Sequence, residues 1–127
     1  MKNHPRLPES ELDIMLVIWD LGDQAAAPAI LERLERPLTA SALHSYLKRL
    51  EDKGYLTCTK EGKTNRYTPL VSREAYQRQE GKTILGKLYK GSLKRFAAAL
   101  HDGGALDKSD VEELRAYLEE LEGKEGQ

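Results

Sequence analysis

The chain has 127 residues, 39% hydrophobic and 32% charged, with a formal net charge of −1. That is enough for one small domain plus an appendage, with a modest core and a heavily solvated surface. No apolar run approaches the roughly 18 residues of a membrane span, the start Met-Lys-Asn-His-Pro-Arg has no signal-peptide apolar region, and the single cysteine, Cys58, excludes an internal disulfide or a cysteine metal cluster. A cytoplasmic protein without membrane insertion is expected, with Cys58 a small apolar strand residue.

The first predicted helix starts after Ser10 as its cap, with Asp13 three residues on. Leu12, Met15, Leu16 and Trp19 recur at helical spacing as its core face, and Leu21-Gly22 ends it. His4 lies before it, in a start expected to be flexible. A short second helix runs from about Pro28 to Leu34, with Pro28 in its first turn and Ile30, Leu31 and Leu34 inward. Pro37 breaks the chain.

The third helix, residues 39–53, is the most informative segment. Thr39 caps it and Gly54 closes it. Leu43, Leu47 and Leu50 fall on one side, and Ser41, His44, Ser45 and Lys48 fall on the other. A leucine-packed helix presenting hydroxyl, imidazole and ammonium groups outward together suits a DNA major groove. Two β-rich stretches follow, Tyr55–Lys60 and Lys63–Thr68, separated by Glu61-Gly62, and Pro69 ends the second. A helix followed by a hairpin carrying Lys60, Lys63 and Arg66 is the layout of a winged helix.

From Ser72 the pattern is helical only. Ile84, Leu85 and Leu88 form one apolar patch, and Leu93, Phe96, Ala97 and Leu100 form another. Gly86 and Gly91 interrupt the pattern where a bend is allowed. Asp102-Gly-Gly-Ala reads as a loop, Asp107 as the cap of a last helix, and Val111, Leu114, Leu118 and Leu121 as a short heptad seam. The tail Gly-Lys-Glu-Gly-Gln is expected to lack fixed structure. Residues 72–122 are too few and too striped to bury themselves alone, so Ile84, Leu85, Leu88, Leu93, Phe96, Leu100, Val111, Leu114, Leu118 and Leu121 are candidate dimerisation residues. The expected organisation is a winged helix-turn-helix over residues 1–71 and a helical dimerisation region over 72–127, mainly α with a small β-hairpin wing.

Charge is segregated along the chain. Residues 9–35 carry seven acids and one base, residues 39–66 six bases and three acids, and residues 73–95 seven bases and two acids. A neutral total thus hides a basic middle, as a phosphate-facing surface requires. Enzyme chemistry finds no support. His4, His44 and His101 are scattered, His44 has no ligand partner at metal spacing, and neither a Gly-rich phosphate loop nor a nucleophile motif occurs. No catalytic residue, metal or cofactor is expected. For double-stranded DNA, roles divide. Ser41, His44, Ser45 and Lys48 face base edges or groove-lining phosphates, with Thr39 at the head of the helix. Arg49 and Lys53 meet phosphate at its side and far end, and Lys60, Lys63 and Arg66 meet the backbone or the minor groove.

Five fragments in order resemble the penicillinase, methicillin-resistance and copper-transport repressor family (BlaI/MecI/CopY): Glu11-Leu-Asp-Ile-Met-Leu-Val-Ile-Trp19, Leu47-Lys-Arg-Leu-Glu-Asp-Lys-Gly54, Arg66-Tyr-Thr-Pro-Leu-Val71, Leu88–Lys94 and Leu106–Arg115. The resemblance implies a homodimeric winged-helix repressor that binds inverted repeats, often with TACA-like half-sites, and dimerises through its C-terminal helices. Ser41, Ala42 and Ser45 stand where the family often has Lys, Thr and Thr, which alters the expected operator. The family's bond for a membrane sensor protease, Asn-Phe, aligns with Ala99-Leu100, and the cysteine motifs of the copper-sensing branch are absent from this sequence. Two other readings stay open. One is a ligand-responsive regulator with a small molecule between its halves, near Tyr76, Tyr89 and Phe96. The other is a winged helix that grips a protein.

Overall fold

The computed structural model describes residues 4–22 and 24–125, the side chain of Glu125 apart. The elements in order are α1 (Glu9–Leu21), β1 (Ala25–Ala26), α2 (Ala27–Arg33), α3 (Ala40–Asp52), β2 (Leu56–Glu61), β3 (Thr64–Pro69), α4 (Arg73–Tyr89), α5 (Leu93–Asp102) and α6 (Lys108–Glu125). The chain divides into two compact units, Met1–Glu80 and Gly81–Gln127. The boundary falls inside α4, nine residues beyond the expected 71/72 division. The reason is local: Tyr76 is buried in the core of the first unit, and Gln79 and Glu80 hold its N-terminal segment.

In the first unit α1, α2 and α3 pack around Ile14, Met15, Ile18, Ile30, Leu43, Leu47 and Leu50, all essentially inaccessible to solvent. Burying a side chain of this size stabilises the fold by about 1.5–3 kcal/mol. A three-stranded antiparallel sheet, ordered β1-β3-β2, closes the unit. Tyr55, the residue before β2, ties α3 to the hairpin: its N–H donates to Leu50 O (2.9 Å) and its carbonyl accepts from Leu70 N (2.8 Å). Gly54 makes that sharp exit possible with φ at 86°, a conformation that a Cβ disfavours.

Several expectations are corrected. α1 begins at Glu9 with Pro8 as its cap, so Ser10 lies inside the helix. Its buried face is Glu11, Ile14, Met15 and Ile18. Leu12 and Trp19 are only partly buried against the core, and Leu16 is 39% exposed. The helix is apolar around most of its circumference, so spacing alone did not select the face, and a buried carboxylate is not a core signal. The hairpin turn is Gly62-Lys63, because Glu61 pairs with Thr64. This is one residue later than expected and puts Gly62, at φ 64°, in the first central position, where a two-residue hairpin needs positive φ. Strand β1, which pairs Ala25 with Tyr67 and Ala26 with Arg66, has no signal in the sequence. Two residues carry no periodicity.

The N-terminal segment is a strap rather than a loose start. His4 N donates to Gln79 Oε1 (2.8 Å), and Gln79 Nε2 returns a bond to His4 O (2.6 Å). Leu7 N donates to the Tyr76 hydroxyl, the Tyr55 hydroxyl donates to Pro5 O, and Arg6 pairs with Glu80 at 2.7 Å. Met1, Lys2 and Asn3 lie outside the described residues.

The second unit is three helical segments. Gly86 sits within α4 without ending it, and Gly91 lies at the junction with α5. Ser92 caps α5 by accepting from Arg95 N (3.1 Å). Asp107 and Asp110 cap α6 reciprocally, at 2.8 and 3.0 Å. α6 continues through Gly123 and Lys124, inside the expected unstructured tail, and Gly126 and Gln127 lie outside the described residues. No described side chain from Gly81 onward is buried. Leu88 is 72% exposed and Leu93 62%, while Leu114 and Leu118 are each 44% exposed.

Candidate nucleic-acid interface

α3 is held as a platform by its leucine side. Leu43, Leu47 and Leu50 are buried, and the Thr39 hydroxyl accepts from Ala42 N (3.0 Å) to start the helix. Ser41, His44, Ser45, Lys48 and Arg49 are all exposed on the remaining surface. Arg49 lies over the half-buried Tyr46 ring, 5.6 Å from its centroid, so its guanidinium is directed along the side of the helix.

The wing stands beside this surface. Lys60 and Asn65 pair across the hairpin, and Lys63 is in the turn. Lys63, Thr64 and Asn65 form one wall of a cleft of about 290 Å³, whose other walls are Ala40 and His44 on α3 and Pro28 and Leu31 on α2.

The cations expected to meet DNA are not equivalent. Lys53 Nζ lies 2.6 Å from Glu11 Oε1, with the Glu11 side chain 3% exposed and that of Lys53 28%. This ion pair fastens the end of α3 to the start of α1, so Lys53 belongs to the frame that holds α3, not to the row containing Lys48. Lys48 Nζ is 3.1 Å from Asp52 Oδ1, one turn further along the same helix. That carboxylate, by its hydrogen bond and its charge, holds the Lys48 ammonium above the ordinary lysine value. Arg66 Nε is 3.1 Å from Glu61 Oε2 and its Nη1 donates to Gln24 O (3.3 Å). Arg49, Lys60 and Lys63 have no ion pair among the described residues. Asp52 and Asn65 were not singled out from the sequence. Asp52 was legible as the i+4 neighbour of Lys48, whereas Asn65 needed the hairpin register.

Buried tyrosines brace the unit from behind. Burial, reinforced by the neighbouring Tyr76, pushes the Tyr55 hydroxyl up to about 12. Tyr67 is also raised, chiefly by burial and then by Cys58 beside it. The Tyr76 ring meets both Tyr55 and Trp19 at 5.9 Å. The Trp19 indole N–H donates to Val71 O (2.9 Å), which makes Trp19 a core anchor. Tyr76 is therefore committed to the core, while Tyr89 and Phe96 stack on each other in the second unit at 4.9 Å. Among the described residues no cluster of His, Cys, Asp or Glu could hold a metal ion, and no helix is long and apolar enough to cross a membrane.

Comparison with known proteins agrees with this geometry. The penicillinase repressor family profile matches residues 7–120. The chain is 29% identical over 122 residues to the penicillinase repressor of Bacillus licheniformis, covering 94% of each chain. It is 25% identical over 114 residues to the methicillin resistance regulatory protein MecI of Mammaliicoccus sciuri, covering 88% of this chain and 92% of that one. Among solved structures, it resembles the solution structure of the DNA binding domain of the repressor BlaI, with a TM-score of 0.51 and 29% identity, over 60% of this chain and 94% of that one. A winged helix with an exposed polar face on α3, matched along nearly its whole length by one family, places the chain in the penicillinase repressor family of DNA-binding transcriptional repressors, which are not enzymes.

Proposed function

We propose that the protein represses transcription as a homodimer that binds an inverted-repeat operator in double-stranded DNA, acts in the cytoplasm and needs no cofactor. The observation that carries this reading is the exposed row Ser41, Ser45 and Lys48 on a helix whose opposite side is fully buried, with Lys60 and Lys63 on the adjoining wing. Ser41, His44, Ser45 and Lys48 meet base edges, with Thr39 at the head of the helix. Arg49, Lys60, Lys63 and Arg66 meet phosphate, so affinity falls steeply with salt. Lys53 contributes indirectly, by fixing α3.

The exposed apolar seams of the second unit support two-fold symmetry. Its helices expose Leu88, Leu93, Leu114, Tyr117 and Leu118 and bury no described side chain. A second copy offers the same apolar seams, and a symmetric pair matches a palindromic site. Ile84, Leu85, Leu88, Leu93, Phe96 and Leu100, with Val111, Leu114, Leu118 and Leu121, supply that interface. Release by a sensor protease rests on the family likeness. The Ala99–Leu100 bond lies in α5, where Ala99 O accepts from Gly103 N (3.0 Å), so cutting there requires α5 to unwind.

The test is selection of bound fragments from random-sequence duplex DNA by the full chain. Enrichment of one inverted repeat is expected. Recovery of no motif, or of an unrepeated one, overturns the reading.

A further inference from the structure

We propose that Asp52 is a specificity-determining residue, a carboxylate on the reading face that steers the Lys48 ammonium toward the groove and withholds it from the phosphates of arbitrary DNA. The inference rests on the reading that α3 enters the major groove. At 100° per residue Asp52 lies within about 20° of Ser41 and Ser45 in projection, so it closes the same stripe. It is no buttress of the fold: its side chain is 62% exposed and that of Lys48 70%. Its one ion pair, among the described residues, is with Lys48 at 3.1 Å.

A lysine stem is flexible, and on a bare helix its ammonium reaches either a base acceptor or the flanking phosphates. Phosphate contact is the same on every duplex and dominates non-specific binding. A carboxylate one turn along the stripe holds the ammonium in line with that stripe, toward the C-terminal end of α3, and repels a phosphate that approaches there. Docking on arbitrary DNA requires Lys48 to leave Asp52. Docking on the right sequence lets Lys48 reach a base without leaving that line. Removing the carboxylate therefore helps the wrong complexes more than the right one. The wing offers the internal contrast. Glu61 pairs with Arg66 at 3.1 Å and its side chain is 68% exposed, but the wing meets backbone in both kinds of complex, so removing Glu61 helps both alike.

The experiment measures binding of the full chain to its selected operator and to a random duplex, across a range of salt, for the wild type, Asp52→Asn, Asp52→Glu, Glu61→Gln and Glu112→Gln. Glu112 is exposed on α6, so its variant carries the same charge change away from the reading helix. Asp52→Asn is expected to tighten the random duplex about three- to fivefold, the scale of one exposed charge pair, with the operator changed by less than about twofold. Its log–log salt slope on random DNA steepens by about one. Asp52→Glu retains the wild-type ratio, Glu61→Gln tightens both duplexes equally, and Glu112→Gln changes neither. An equal gain on both duplexes for Asp52→Asn, or no gain, overturns the proposal. Failure of the wild type to bind or select any duplex at low salt defeats the underlying DNA reading instead.

Discussion

The two units solve the problem of apolar surface in opposite ways. Up to Glu80 the chain buries fourteen described apolar side chains, from Leu7 to Tyr76, with the Glu11–Lys53 ion pair beside them. From Gly81 onward it has comparably regular helices, well-made caps at Ser92 and Asp107, and no buried described side chain. Good local helix signals therefore do not make a domain; an interior does. The first unit carries its own interior. In the proposed dimer the second obtains its interior by packing against an identical chain.

The sharpest way to break that contrast is to charge the seam. Leu114→Glu with Leu118→Glu is expected to weaken dimerisation at least about a thousandfold, roughly 4 kcal/mol, as read by sedimentation equilibrium. The melting of residues 4–80 in the same protein should move little. A double variant that stays dimeric would remove α6 from the interface. The next largest effect should fall in the first unit. Lys53→Met leaves the buried Glu11 carboxylate unpaired and should cost about 3–5 kcal/mol in urea unfolding, with Glu11→Gln added to Lys53→Met recovering most of it. If Lys53→Met instead unfolds like wild type and only loses DNA affinity, Lys53 belongs on the phosphate surface after all.

Leu47→Ala, in the wall between α3 and the core, should cost about 2–5 kcal/mol, whereas Thr39→Ala, which removes one cap bond at an exposed helix start, should cost about 1 kcal/mol. Equilibrium unfolding separates the two. Tyr55 ionises at about 12 in the folded chain against about 10 when unfolded, so its proton is held more tightly by the native state. The stability it contributes is present below pH 10 and is lost as pH rises through 12, and Tyr67 acts in the same direction. Thermal melts from pH 8 to 12 should fall only above about 10, and the Tyr55→Phe variant should show a shallower decline.

Much of the first unit is legible where period and burial coincide. Leu43, Leu47 and Leu50 mark the inner side of α3, so Ser41, His44, Ser45 and Lys48 had to face out, and they do. Legibility fails where a residue's partner is distant in the chain. Glu11 reads as a surface acid until Lys53, forty-two positions on, is placed 2.6 Å away. His4 reads as a loose end until Gln79 meets its backbone. α1 hides its orientation for another reason, since a helix apolar on most sides offers no single stripe.

The order of the helices and the hairpin, the leucine side of α3, the basic hairpin after it and the family are properties of the sequence alone, because they depend on the spacing of near neighbours and on motifs in line. That Lys53 is taken up by Glu11, which side of α1 turns inward, and how far the first unit extends into α4 were decided only by the tertiary structure. Each depends on groups dozens of residues apart brought within a hydrogen bond's length, and no local period encodes that distance.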